Sequence, residues 1–145
     1  MRESQRLTSA TFATDMAGFS YLSFNYLFYS CTNLASVNGL GNLSGVRSMR
    51  YMFSSCAFTT IDFRGFDPST LTDLFYTFSG CSHLTTIYAD ASWALPSSGI
   101  TGSRCFYSCS TSLVGGNGTT WTSNKTAYTY FRIDTASMPG YITAA

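Results

Sequence analysis

Charge is what this chain has least of. Asp, Glu, Lys and Arg together make only 10% of it, where an ordinary soluble domain carries roughly 25%. The eight cations, Arg2, Arg6, Arg47, Arg50, Arg64, Arg104, Lys125 and Arg132, are scattered singly, and the net charge is +1. No basic stripe exists to neutralise a row of phosphates, so nucleic acid is not an expected partner. Histidine is almost absent as well. Any histidine-based triad must use His83, and a zinc site would need more ligands than one histidine and scattered cysteines supply. His83 stands between Ser82 and Leu84, at a polar position aligned with Asn33, and reads as a surface residue. There is no Gly-x-Ser-x-Gly elbow and no phosphate loop ending in Gly-Lys. The acids Asp62, Asp67, Asp73 and Asp90 fall in different columns of the repeat described below, so no carboxylate pair forms. The expectation is a protein that is not an enzyme and needs no metal or cofactor.

Long apolar runs are missing too. No stretch approaches the ~18 residues of a membrane helix, so membrane insertion is not expected. Met1-Arg2-Glu3-Ser4 is not expected to open a signal peptide, nor Tyr141-Ile142-Thr143-Ala144-Ala145 to act as an anchor, so an export signal would lie on another part of a longer chain. What is abundant is hydroxyl and ring: Ser and Thr number 42 of 145 residues, and aromatics make 17%. Solvation by hydroxyls suits extracellular and assembled structural proteins, whose flanks neighbours can cover. The expected location is extracellular or surface-associated.

The cysteines expose a repeat. Phe28-Tyr29-Ser30-Cys31, Phe53-Ser54-Ser55-Cys56, Phe78-Ser79-Gly80-Cys81 and Phe106-Tyr107-Ser108-Cys109 share Phe-x-x-Cys, with cysteines 25, 25 and 28 apart. Other columns fall into register: Tyr26, Tyr51 and Tyr76 two places before the Phe, and Phe24, Met49 and Leu74 four before it. Downstream, Leu34, Phe58 and Leu84 are each followed three residues later by Val37, Ile61 and Ile87. One residue is lost after Cys56, and an insertion at 93–99 delays the fourth rung.

Each rung reads as two halves. Val46, Met49, Met52, Phe53 and Cys56 have the spacing of a short helical turn with one buried stripe. Thr59-Thr60-Ile61-Asp62-Phe63 then alternates as a strand does, and Gly, Asn, Asp and Pro turn the chain into the next rung. One helix-like and one strand-like segment per 25 residues predicts an α/β solenoid: a short right-handed array of about four rungs with a parallel sheet. Strands are expected near Ser36–Asn38, Thr60–Phe63 and Thr85–Ala89, paired in that order. Residues 1–19, with Phe12, Met16 and Phe19, form a lead-in cap, 20–113 the four repeats, and 114–145 the C-terminal cap. In that cap Trp121, Tyr128, Tyr130, Phe131 and Ile133 alternate enough to add a strand or two over the rung of Cys109.

The spacing Val-x-x-Met-x-x-Met-Phe-x-x-Cys-x-x-Leu-x-x-Ile resembles the BspA-like leucine-rich repeats of bacterial surface proteins. Leu113-Val114-Gly115-Gly116-Asn117-Gly118-Thr119, Tyr130-Phe131-Arg132-Ile133-Asp134 and Pro139-Gly140-Tyr141 resemble the segment that closes such arrays. The resemblance implies a secreted or surface-displayed binding module, an adhesin, whose partner is a protein or glycan on a host or neighbouring cell. A second class stays open: a structural subunit of an extracellular assembly, a filament or a virion decoration or fibre, contacting copies of itself or other subunits.

Candidate sites follow from the fold. Alternation turns Val37, Ile61, Phe63 and Ile87 inward and Ser36, Asn38, Thr60, Asp62, Arg64, Thr86, Tyr88 and Asp90 outward, a sheet face for a partner. Phe12, Trp121 and Tyr141 are the expected aromatic anchors of an assembly surface at the caps. The tyrosine column has two readings, half-buried cover for the rung below or an aromatic strip for a partner. Cys31, Cys56, Cys81 and Cys109 read as reduced, buried filler, because cysteines one rung apart on the helical side would exceed bridging distance. Phe28, Phe53, Phe78 and Phe106 should form one buried column, with Phe106, in the irregular rung, contributing less than Phe53.

Overall fold

The computed structural model describes residues 5–18 and 23–145. Phe19, part of the expected lead-in, and the boundary between 19 and 20 lie outside the described residues.

The chain is mostly short strands and loops, with small parallel sheets. Strands β1 (Ser9–Thr11), β2 (Ser36–Asn38), β3 (Thr60–Asp62), β4 (Thr86–Ala89) and β5 (Ile142–Ala144) alternate with four 3-10 turns, the longest at Thr14–Gly18. β1 pairs with β2, Ala10 opposite Val37. β3 pairs with β4, Ile61 opposite Ile87, and β4 with β5, Ile87 opposite Ile142. All three pairings are parallel.

Two expectations about pairing are corrected here. β2 and β3 form no paired register; the segments before them are joined by Ala57 N–H donating to Leu34 O at 2.9 Å. The break coincides with the residue lost after Cys56, which brings that rung to its strand one position early. A one-residue slip would turn every side chain of a strand to the wrong face, so the ladder yields before the core does. The capping strand is also not drawn from 121–133. Tyr128–Tyr130 is a 3-10 turn, Ile133 makes a single bridge to Ile142, and the tail of the chain returns to lay β5 against β4.

The helical turns are corrected more deeply. The described part of the repeat region, 23–113, contains no α-helix. Each Phe-x-x-Cys segment is a pair of tight turns closed by i→i+3 bonds, such as Tyr29 N–H to Tyr26 O (3.2 Å) and Cys31 N–H to Phe28 O (3.0 Å). The remaining amides leave the rung. Phe24, Tyr26, Phe28 and Ser30 donate to Ser48, Arg50, Met52 and Ser54 at 2.8 to 2.9 Å, and the same alternation repeats from Met49, Tyr51, Phe53 and Ser55 to the third rung. An α-helix would send these amides to the fourth residue back. Here every second one builds a ladder between rungs. The turns require residues with φ near +60°, and they occur in two columns: Tyr26, Tyr51, Tyr76 and Arg104, then Ser30, Ser55, Gly80 and Ser108.

The interior is apolar and closely stacked. Phe28, Phe53, Phe78 and Phe106 form the expected buried column, with ring centroids 5.9, 5.5 and 5.3 Å apart. All five cysteines are buried, and no disulfide joins them. The recurrence of Cys has a physical reason beyond size. Cys56, Cys81 and Cys109 donate their thiols to the carbonyls of Phe28, Phe53 and Phe78 in the preceding rung, at 3.1 to 3.3 Å. Burial pushes these thiols well above their ordinary pKa, so they stay protonated donors. Among the described residues no buried side-chain polar atom lacks a hydrogen-bond partner.

The C-terminal cap is tied by one carboxylate. Asp134, buried, accepts from Asn117 N–H (2.8 Å), Thr119 N–H (2.9 Å), Thr119 Oγ1 (2.6 Å) and Gly140 N–H (3.1 Å). Glycine is required at 115, where a Cβ would collide with Gly140 O and lie 2.6 Å from the Asp134 carboxylate.

Candidate functional site

The strand side carries the polar face that alternation predicts. Val37, Ile61, Phe63 and Ile87 are buried, while Asn38, Thr60 and Arg64 are exposed and Ser36, Asp62, Thr86, Tyr88 and Asp90 partly so. Much of this face is occupied with itself. Arg64 clasps Asp62 through Nε and Nη2 at 3.0 and 2.6 Å, and its own N–H donates to the same carboxylate at 2.9 Å. The Arg64 guanidinium holds the Asp62 carboxyl below its ordinary range. Asp90 accepts from Gly65 N–H at 2.7 Å. Two shallow depressions flank these groups, one of about 430 Å³ between Gly65–Ser69 and Asp90–Ala94, and one of about 230 Å³ beside Asn38–Asn42, Asp62 and Arg64.

Two of the three aromatic anchors expected at the caps, Phe12 and Tyr141, are corrected. Phe12 is buried against Phe24 and Phe28, centroids 5.9 and 6.1 Å away. Tyr141 is fully buried over Phe106 at 5.0 Å, its hydroxyl donating to Lys125 O at 2.6 Å. Trp121 is partly buried, and its indole N–H donates to Phe106 O at 2.9 Å. Phe12 and Tyr141 therefore fill the apolar interior, and Trp121 is tied to its edge.

The feature that composition and spacing left undecided lies on the turn side. Tyr26, Tyr51 and Tyr76 stack face to face with centroids 4.9 Å apart and planes within 10° and 11° of parallel. Tyr29 packs edge-on against both Tyr26 (5.5 Å) and Tyr51 (5.7 Å). In the fourth rung the column residue is Arg104, which donates Nη1 to the Tyr76 hydroxyl at 2.8 Å and lies 5.4 Å from the Tyr107 ring. Tyr26 is 51% exposed, Tyr107 48%, Tyr29 46% and Leu27 45%. Compared with family models, with curated proteins and with solved structures, the chain matches none.

Both left-handed columns carry backbone strain. Left-handed backbone costs an L-residue about 1–2 kcal/mol. The second left-handed column holds Ser30, Ser55, Gly80 and Ser108, of which only Gly80 escapes that cost. The first holds three tyrosines there, at a combined cost of about 3–6 kcal/mol. Two stacked pairs return about 0.5–1.5 kcal/mol each. Edge-on and tilted contacts with Tyr29, Phe75 and Tyr107 add to this, and Tyr51 and Tyr76 are partly buried, so the packed rings offset strain of this size. Tyr26, Leu27, Tyr29 and Tyr107 nonetheless stay exposed, and exposed apolar side chains gathered in one strip mark an interaction surface.

The described residues hold no group of three His, Cys, Asp or Glu side chains able to bind a metal ion. His83 is exposed.

Proposed function

We propose that this chain is a non-enzymatic binding module: a short right-handed solenoid of leucine-rich-repeat type, extracellular or surface-displayed, of the kind the BspA-like resemblance implies. Parallel strand pairs, a 25-residue period and a continuous phenylalanine column support the stacked-repeat architecture. The observation that carries the functional reading is the stacked tyrosine ladder, exposed at Tyr26 and flanked by the exposed side chains of Leu27, Tyr29 and Tyr107. Tyrosine suits contact with proteins or glycans, since its ring gives large area at low entropic cost and its hydroxyl bonds at the rim.

The test compares the wild-type chain with Tyr26→Asn/Tyr51→Asn/Tyr76→Asn, each coated on beads and scored for adherence to cultured cells and to a glycan array. Asparagine tolerates left-handed backbone, so the variant keeps the fold while losing the rings. Adherence lost in a variant that still unfolds cooperatively supports the reading; equal adherence by both proteins sinks it. The parallel change of Asp62, Arg64 and Tyr88 to Ala asks the same question of the strand side.

The second reading, a structural subunit of an extracellular assembly, is favoured by one observation. β1 has a partner strand on one side only among the described residues, and Ser9-Ala10-Thr11 carries none of the charges that discourage edge pairing.

A further inference from the structure

We infer that the tyrosine ladder is a two-fold contact between two copies of this chain, laid antiparallel so that Arg104 of each copy meets Tyr26 and Tyr29 of the other. The inference rests on the ladder being the contact surface. Three observations choose the occupant and its direction.

The first is where exposed apolar surface collects. Of the six large apolar side chains that are exposed among the described residues, four, Tyr26, Leu27, Tyr29 and Tyr107, belong to this one strip. Clustering of that kind marks an interaction surface, whereas single exposed apolar residues need no explanation.

The second is charge. Arg104 has no carboxylate within ion-pair distance among the described residues, while the carboxylate beside the ladder, Asp73, is held by Arg50 at 2.9 Å. The ladder is therefore aromatic at its first rung and cationic at its fourth. The guanidinium faces ring systems and phenol oxygens in place of acids of its own surface.

The third is symmetry. A two-fold axis perpendicular to the ladder reverses its direction, so the cationic end of one copy falls on the aromatic end of the other, and every contact is made twice. Guanidinium over tyrosine is an attractive pairing. A parallel overlay would instead set Arg104 against Arg104. Rungs repeat at 4.9 Å on this side, so Tyr51 and Tyr76 of the two copies fall into register between the ends. Tyrosine and arginine at the centre of a contact are the residues that most often dominate its energy.

Light scattering on the intact chain across the micromolar range tests this. The expected result is a mass that rises from 15.8 kDa toward twice that value with concentration. Arg104→Ala should weaken the association about tenfold or more, Arg104→Lys should weaken it less, and Tyr26→Asn with Tyr29→Ser should abolish it. Arg104 is exposed, so its variants are not expected to unfold, and thermal melts check each protein. Direction is read separately, by photo-crosslinking through Tyr29→benzoylphenylalanine in a mixture with isotope-labelled protein, where the labelled peptide captured should contain Arg104. A monomer at every concentration overturns the inference, as does a dimer indifferent to these changes or a crosslink joining position 29 to position 29. If the chain is monomeric but the triple tyrosine variant still loses adherence, the two-fold contact falls and the ladder's role in binding another partner stands.

Discussion

Replacing Asp134 by Asn is the most discriminating perturbation of the fold. The carboxylate collects four donors, from Asn117, Thr119 (twice) and Gly140, and so joins three separate stretches of the cap. A hydrogen bond to a charged group contributes about 1.5–3 kcal/mol. The four share one acceptor group and are not additive, so the whole clamp is worth about 3–5 kcal/mol. An amide keeps one oxygen acceptor and turns an NH₂ toward backbone donors, leaving at least one buried N–H unpartnered. Asp134→Asn should lower unfolding free energy by about 2–4 kcal/mol.

The pH profile gives the test its second axis. Burial raises the Asp134 carboxyl pKa, but the Thr119, Gly140 and Asn117 donors outweigh it, and the net position is below the ordinary value. A carboxyl held low in the folded state stabilises fully above its unfolded value, about 3.9, and that contribution is lost as pH falls through the lower folded value. Urea titrations from pH 7 to pH 2 should therefore show wild-type stability falling in acid, and the gap between wild type and Asp134→Asn closing there. The depressed carboxyls of Asp62 and Asp67 titrate alike in both proteins and cancel from the difference. A variant within about 0.5 kcal/mol of wild type at pH 7, or a gap that does not narrow in acid, would refute the clamp.

Three further outcomes are expected. Phe53→Ala and Phe106→Ala should each cost about 3–5 kcal/mol in denaturant unfolding; the smaller loss that spacing suggests for Phe106 is not expected, because Phe78, Phe131 and Tyr141 enclose it at 5.3, 6.0 and 5.0 Å. The five thiols should resist alkylation in the native protein, and mass spectrometry after unfolding without reductant should find all five labelled. Gly80→Ala should cost about 1–2 kcal/mol, since φ is +73° and the new Cβ would lie 2.8 Å from Ser55 Oγ, while Ser55→Gly should shift the unfolding free energy by less than about 1 kcal/mol.

Much of the interior was legible in the residue pattern. Period, phenylalanine column, buried cysteines and the positions of β2, β3 and β4 all follow from apolar residues recurring in register. The turn side was not, because apolar spacing of 3, 3, 1, 3 fits a helical turn and a pair of i→i+3 turns equally well. Only backbone φ distinguishes them, and Tyr, Ser and Arg give no warning of a left-handed conformation. The lone hint was Gly80 standing in a column of serines. β5 was hidden for a different reason: Ile142 reaches Ile87 across 55 positions, a distance over which local pattern carries no information. The clamp was half visible, in the glycines around Asn117, but its acceptor Asp134 lies 15 residues beyond Thr119.

The loss of the helices changes where binding should be sought. Helices pack 8–10 Å apart and strands about 4.8 Å. An array with strands on one side and helices on the other must bend around its strands, which is what makes a concave sheet. In this chain the turn side is itself a hydrogen-bonded ladder, and its tyrosines repeat at 4.9 Å. Both sides then advance by nearly the same step, and nothing in the backbone requires the sheet to curve. On the strand side, Asp62 and Arg64 satisfy each other on a face that need not be concave. The equal step has the opposite effect on the turn side. It brings successive rings into contact, so that side chains one rung apart act as one continuous surface.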